Sequence, residues 1–311
     1  MDRRVRPLRL LIAGAALVAA GLAAGAAREP TLQALVWIAP GHEAAALTRQ
    51  PATCLSDSPA NPAVMAGRAL FNAPQLLGGQ ASRAGVSCAS CHSNGRRNPH
   101  FELSGISDAP GTADVSASFF SVARGNGRFD PKPIPDLALP GQISRDPELR
   151  ALEHFSRGLI VEEFSGQPPG NGALSDLAAY VRAAKPCPGR TDESVRLASR
   201  IDLFRDSVRS AARAAAAGDR QTAVVLAGAA RWHLGLIDER IAAGGHAQTR
   251  KELLRTSRRL QTIQGGAITT KALLAMLARF DRNLAPRLLQ AENSSLYRPE
   301  LVDRWLAERA R

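Results

Sequence analysis

The sequence predicts an all-α chain in which a loop-rich N-terminal domain is followed by a basic helical bundle. Three observations carry this expectation. Apolar residues recur at helical spacing before residue 72, after residue 146 and throughout 188–311. The stretch from Asn94 to Gly141 is crowded with Gly, Pro and Asn turn signals. Charge is segregated as well: residues 54–187 hold twelve Lys/Arg against twelve Asp/Glu, whereas 188–311 hold twenty-two against thirteen, which places +9 of the formal +12 in the last region.

The chain opens with Arg3, Arg4, Arg6 and Arg9, followed by the apolar run Leu10 to Ala27 containing Ala24-Gly25-Ala26. A basic start, an apolar stretch and a small-residue cleavage pattern read as a secretory signal. The run is also long enough to stay as a single membrane anchor. Residues 1–27 are therefore expected to be a signal peptide or an anchor, and the remainder to be exported to the periplasm. Residues 28–53 read as a lead segment lying on the surface, with His42 a solvated loop histidine. Cys54 and Cys187 sit at the two edges of the neutral region, and in an oxidising compartment two such cysteines are expected to pair.

A helix is expected from Asn61-Pro62, with asparagine as N-cap and proline at the first position. Met65, Ala69, Leu70 and Phe71 supply its apolar side. It stops near Asn72-Ala73-Pro74, and Gly78-Gly79 marks a flexible turn. Then comes Val86-Ser87-Cys88-Ala89-Ser90-Cys91-His92. Two thiols three residues apart with an imidazole directly after the second form a c-type haem attachment pattern. Cys88 and Cys91 would bond one haem edge, and His92 would bind the iron as proximal ligand. A zinc site would need a second Cys/His pair, and a thioredoxin-like site a βαβ context; the sequence offers neither. One covalent haem c is the expected cofactor.

The sixth iron position stays open on sequence grounds. Residues 93–187 contain no methionine, so the candidates are His100, His154, Met65 or no protein ligand. Each has a plainer reading: a loop histidine, a surface histidine and a core methionine.

The run Gly67-Arg68-Ala69-Leu70-Phe71-Asn72-Ala73-Pro74-Gln75-Leu76-Leu77-Gly78, taken with Val86 to His92, resembles the first haem module of the bacterial di-haem cytochrome c peroxidases, a superfamily that includes the methylamine-utilisation maturases. Asn72-Ala73-Pro74 stands where that family usually has an aspartate-proline pair. The resemblance implies a cytochrome c-like haem domain with long loops over residues 54–187. It does not carry the peroxidase activity across, because those enzymes relay electrons between two haems and this chain has one C-x-x-C-H motif. Ser118 to Asp130 loosely resembles the family segment after the haem, so Phe119, Phe120 and Phe129 either line a haem pocket or pack as an ordinary core under the loop.

From Asp146 the pattern turns helical, with Leu149, Leu152 and Phe155 on one face. Leu174 to Val181 reads as the closing helix of the module, with Ser175 as N-cap and Leu177, Tyr180 and Val181 facing the core. Such a helix is expected to pack across the one before the motif. Residues 188–311 form the basic helical bundle. Thr191 to Ser194 offer capping chemistry for a helix bearing Leu197, Ile201, Phe204 and Val208. A second helix, from about 219 to 243, turns Val225, Trp232, Leu236 and Ile237 inward. Further helices carry Leu253, Leu254 and Leu260, then Leu273, Leu274, Leu277, Phe280 and Leu284, and finally Leu301 and Trp305 after Pro299.

The expected function is electron transfer by an exported mono-haem c-type cytochrome. The alternative is a peroxidase-like haem enzyme with an open sixth iron position. A redox partner protein is implied, and an acidic one or an anionic lipid of the inner membrane would suit the arginine-rich face, which could equally be a solvated surface. Export argues against nucleic acid.

Overall fold

The computed structural model describes residues 32–56, 61–116, 120 and 125–310. The expected signal or anchor, residues 1–27, and Phe119 lie outside the described residues. The chain from Thr31 to Arg311 clusters as one compact unit. At 60% helix and 7% strand it is all-α.

A short turn at Gln33–Leu35 leads to α1 (Glu43–Thr48), then to two short strands, β1 (Arg49–Pro51) and β2 (Thr53–Leu55). Helices α2 (Pro62–Phe71), α3 (Pro74–Leu77), α4 (Gly79–Ala84) and α5 (Cys88–Cys91) follow. The loop region that follows holds a 3-10 turn at Ser93–Gly95 and two short strands, β3 (Thr112–Ala113) and β4 (Lys132–Pro133), paired antiparallel. Then come α6 (Ala151–Gly158), a π-helical turn at Leu159–Glu163, α7 (Asn171–Ala183), β5 (Ala184–Pro186) and β6 (Asp192–Ser194). The last third is helical: α8 (Leu197–Ala216), α9 (Arg220–Ile241), α10 (Ala247–Gly265), α11 (Thr270–Asn283), α12 (Ala285–Ala291) and α13 (Pro299–Arg309).

Asn61 caps α2 as expected, its side chain accepting from Ala63 N, with Pro62 at the first position. The helix then crosses α7 closely. A Cβ on Gly67 would lie 1.9 Å from the Asp176 carbonyl oxygen and 2.8 Å from Tyr180 Cβ, so glycine lets the two backbones meet. Leu177, Tyr180 and Val181 are buried there, and Phe71 packs edge-on to Tyr180 at 5.2 Å. One hydrophobic core runs from Trp37 and Val64 through α7 into Leu197, Phe204, Leu273 and Leu288, so it is continuous across the change of composition at residue 188.

Several local expectations are corrected. The lead segment is not a surface strap: Leu32, Trp37, Leu47 and Ala52 are buried, and Leu32 and Leu47 form a second small core with Leu296, Val302 and Trp305. Partners more than 200 residues away supply the apolar cover that local sequence could not reveal. Thr191 to Ser194 do not cap α8; residues 192–194 form β6, paired with β1 in the register Gln50↔Glu193. Ser175 lies inside α7, which begins one turn earlier because Ala173 and Leu174 are drawn into the core. On α6 only Leu152 of the expected apolar face is buried, while Leu149 and Phe155 are exposed. The inward face is set instead by Glu153, whose carboxylate receives both terminal nitrogens of Arg182, at 2.9 and 2.6 Å. On α9, Val225, Trp232 and Leu236 are half-buried, and the inward stripe is Ala223, Leu226, Ala227, Leu234 and Ile237. Leu254 and Leu274 are exposed although Leu253, Leu260, Leu273, Leu277 and Phe280 are buried.

Candidate functional site

The C-x-x-C-H segment forms the single turn α5, opened by a reciprocal capping box in which Ser87 and Ser90 satisfy each other's backbone N–H. Asn98 fixes the other end: its side chain donates to the Ser90 carbonyl at 2.8 Å, and its N–H to the Cys91 carbonyl at 3.0 Å. The chain then turns sharply through Asn94 and Gly95, both with positive φ. A Cβ on Gly95 would lie 2.9 Å from the Tyr180 hydroxyl, so the turn packs directly on α7. Thr53 donates to the Asn94 carbonyl at 2.6 Å, and the Asn94 amide donates to the Pro51 carbonyl and the Glu193 carboxylate. The β1–β6 and β2–β5 pairs thus hold the turn that follows His92.

His92 Nδ1 lies 3.1 Å from the Pro135 carbonyl oxygen. A carbonyl only accepts, so Nδ1 carries the proton and Nε2 keeps its lone pair, facing no hydrogen-bond partner among the described residues. Burial pushes the ring down to about 4, opposed by the Pro135 carbonyl and the nearby Asp136 carboxylate, so the imidazole is neutral near pH 7. The carbonyl is itself held in place. Arg96 grips Asp136 with Nε at 2.7 Å from Oδ1 and a terminal nitrogen at 2.7 Å from Oδ2, and also donates to the Ala52 carbonyl at 3.0 Å. Arg145 binds the same loop to the end of α7, donating to the carbonyls of Leu137, Val181, Arg182 and Ala184.

Cys88 and Cys91 are free, and burial pushes both thiols up to about 12. They are therefore thiols rather than thiolates near pH 7. Both cysteines and His92 nevertheless keep accessible surface. Phe71 stands 6.4 Å from the His92 ring. The donor set fits a c-type haem: two cysteines on one helical turn, and an imidazole with a fixed tautomer and a free Nε2.

The other predicted site residues lie elsewhere. Cys54, in the middle of β2, and Cys187, the residue after β5, form a disulfide with Cα atoms 5.0 Å apart. His100 stacks on His42 with ring centroids 4.3 Å apart, so His42 is not a free loop histidine. His100 also lines a cavity of about 400 Å³ whose wall on the α5 side is Ser87, Ala89, Ser90 and Ser93, without Cys88, Cys91 or His92. His154 is exposed on α6, and Met65 is half-buried on α2. Phe120 is buried against Phe164 at 5.0 Å, while Phe129 is 57% exposed.

Arg96, Asp136 and the Pro135 carbonyl were not among the residues singled out from sequence. The prolines of this stretch mark only turns, and nothing local says which carbonyl returns to the motif. No group of three or more His, Cys, Asp or Glu side chains among the described residues converges on a metal-ion site. Comparison with protein-family models, curated proteins and solved structures finds no match for this chain.

Proposed function

We propose that the chain is an exported mono-haem c-type cytochrome that transfers electrons. The observation that carries this reading is the Nδ1–H···O=C bond from His92 to Pro135, on a helical turn that also presents Cys88 and Cys91. Histidines that ligate a metal characteristically donate their second ring N–H to a carbonyl or carboxylate, which fixes orientation and basicity. Cys88 and Cys91 would hold haem c covalently, and His92 Nε2 would be its proximal ligand. When bound, the haem supplies a one-electron redox centre. The residues around it orient the imidazole, through Pro135, Arg96 and Asp136, and cover the motif with the α2–α7 pair, an arrangement we read as a cytochrome c-like domain. A separate redox protein would exchange electrons with it, and the periplasm is the compartment that suits both the motif and the disulfide.

A second reading, a peroxidase-like enzyme with an open sixth iron position, gains from the placement of the histidines. His100 is engaged with His42, and His154 faces solvent. Visible and EPR spectra of the purified ferric and ferrous protein separate the two. Electron transfer predicts a low-spin haem that ignores carbon monoxide. A high-spin haem that binds carbon monoxide and consumes peroxide would replace it with the second reading.

A further inference from the structure

Helices α10 and α11 lie outside the α8–α9 pair, α10 packing on α9 and α11 on α8, and they touch each other. Leu253 and Leu260 of α10 and Leu273, Met276, Leu277 and Phe280 of α11 face the core. The outward side is strongly basic. Residues 247–283 carry eight Lys/Arg against two Asp/Glu, which is half of the chain's net +12 in 37 residues. Both acids are already engaged, Glu252 with Arg287 and Asp281 with Arg205. Arg250 pairs with Asp238. The other seven, Lys251, Arg255, Arg258, Arg259, Lys271, Arg279 and Arg282, are exposed and have no carboxylate within ion-pair distance among the described residues.

Each helix also sets a leucine among these bases. Leu254 is 51% exposed and shares a stripe with Lys251, Arg255 and Arg258; Leu274 is 44% exposed and shares one with Lys271 and Arg282. A polar, basic face interrupted by outward leucines is the pattern of a helix that lies in a bilayer interface, where leucine enters the acyl boundary and the long basic side chains reach the headgroups. We propose that the outer face of α10 and α11 docks on an anionic lipid bilayer. This does not depend on the haem reading.

An acidic protein would meet the same charges, but protein interfaces are dominated by a few aromatic or arginine anchors seated in pockets. Phe280, the sole aromatic residue of the two helices, is buried, and the five arginines of the face, Arg255, Arg258, Arg259, Arg279 and Arg282, are exposed and spread over both helices. Seven bases spread over two helices match a laterally extended negative surface, to which each base adds independently.

The test is flotation of the chain from residue 28, whose described part is one compact unit, with vesicles of phosphatidylglycerol and of phosphatidylcholine. Binding is expected to phosphatidylglycerol only, to weaken steeply as salt shortens the screening length, and to fall more than tenfold in Arg255→Glu/Arg258→Glu/Lys271→Glu/Arg282→Glu. Leu254→Ser/Leu274→Ser is expected to remove the binding that persists at high salt. Reversal of exposed bases away from this face, Arg150→Glu/Arg157→Glu, is expected to leave binding unchanged, and circular dichroism confirms that each variant is folded. Equal binding to phosphatidylcholine, or loss from the α6 variant equal to loss from the α10–α11 variant, overturns the proposal. So does failure to bind phosphatidylglycerol vesicles alongside binding to polyglutamate, which would assign the face to an acidic protein.

Discussion

His92 and Pro135 are 43 residues apart in sequence, yet the imidazole donates to the proline carbonyl across 3.1 Å. That carbonyl is fixed because the next residue, Asp136, is held by Arg96, four residues beyond His92. The segment after the motif thus builds its own support. Asp136→Asn keeps the shape and weakens the grip, which loosens the bond to His92 and makes the imidazole a less basic ligand. On the proposed haem reading, the reduction potential is expected to rise by on the order of tens of mV, since about 59 mV corresponds to a tenfold change for a one-electron couple. Arg96→Ala, which removes the hydrogen bonds to Asp136 and to the Ala52 carbonyl, is expected to cost about 1.5–3 kcal/mol in urea unfolding.

The disulfide between Cys54 and Cys187 closes a loop with a sequence separation of 133. In the chain-entropy model such a link stabilises by about 4–5 kcal/mol. Cys54→Ser/Cys187→Ser is expected to lose most of that in denaturant unfolding while keeping the motif intact.

Glu153 is held below the ordinary carboxylate value of 4.5, chiefly by hydrogen bonds from Arg182. A folded value below the unfolded one means that the pair's contribution is complete above about pH 4.5 and is lost as pH falls through the folded value. Glu153→Gln is therefore expected to be less stable than the parent near pH 7, with the gap closing as the solution is made more acid. A gap that stays constant with pH would show that Arg182 gains nothing from the carboxylate charge.

Gly67→Ala places a methyl group into the Asp176 carbonyl and should force α2 away from α7, costing about 1–3 kcal/mol or more. Gly235, inside α9, has nothing within 4 Å of the place an added methyl would occupy, and Gly235→Ala is expected to stabilise by roughly 0.5–1 kcal/mol. The opposite signs, read from thermal melts of the two variants, check that the α2–α7 crossing depends on glycine.

The helices were legible wherever a cap or a stop stood beside an apolar repeat. Asn61-Pro62 starts α2, Asp219 caps α9 with its carboxylate accepting from Thr222 N, and Pro299 opens α13. What escaped was set by distant partners. Leu32 and Leu47 are buried because Val302 and Trp305 meet them, and residues 192–194 are a strand because β1 lies beside them. Glu153, a residue that composition would place outside, turns inward because Arg182 waits on α7. At the candidate site, the C-x-x-C-H spacing marks three residues that the structure sets on and beside one helical turn, and the two remaining cysteines pair as expected. The carbonyl that orients His92 was hidden, since backbone atoms leave no mark in a sequence pattern.

The most direct measurement is the mass and visible spectrum of the protein after export in a host that attaches haem c, taken after denaturation and organic extraction. The account predicts one haem retained per chain, a c-type spectrum, and loss of that haem in Cys88→Ala/Cys91→Ala. A folded, exported chain with intact Cys54–Cys187 and no retained haem would contradict it.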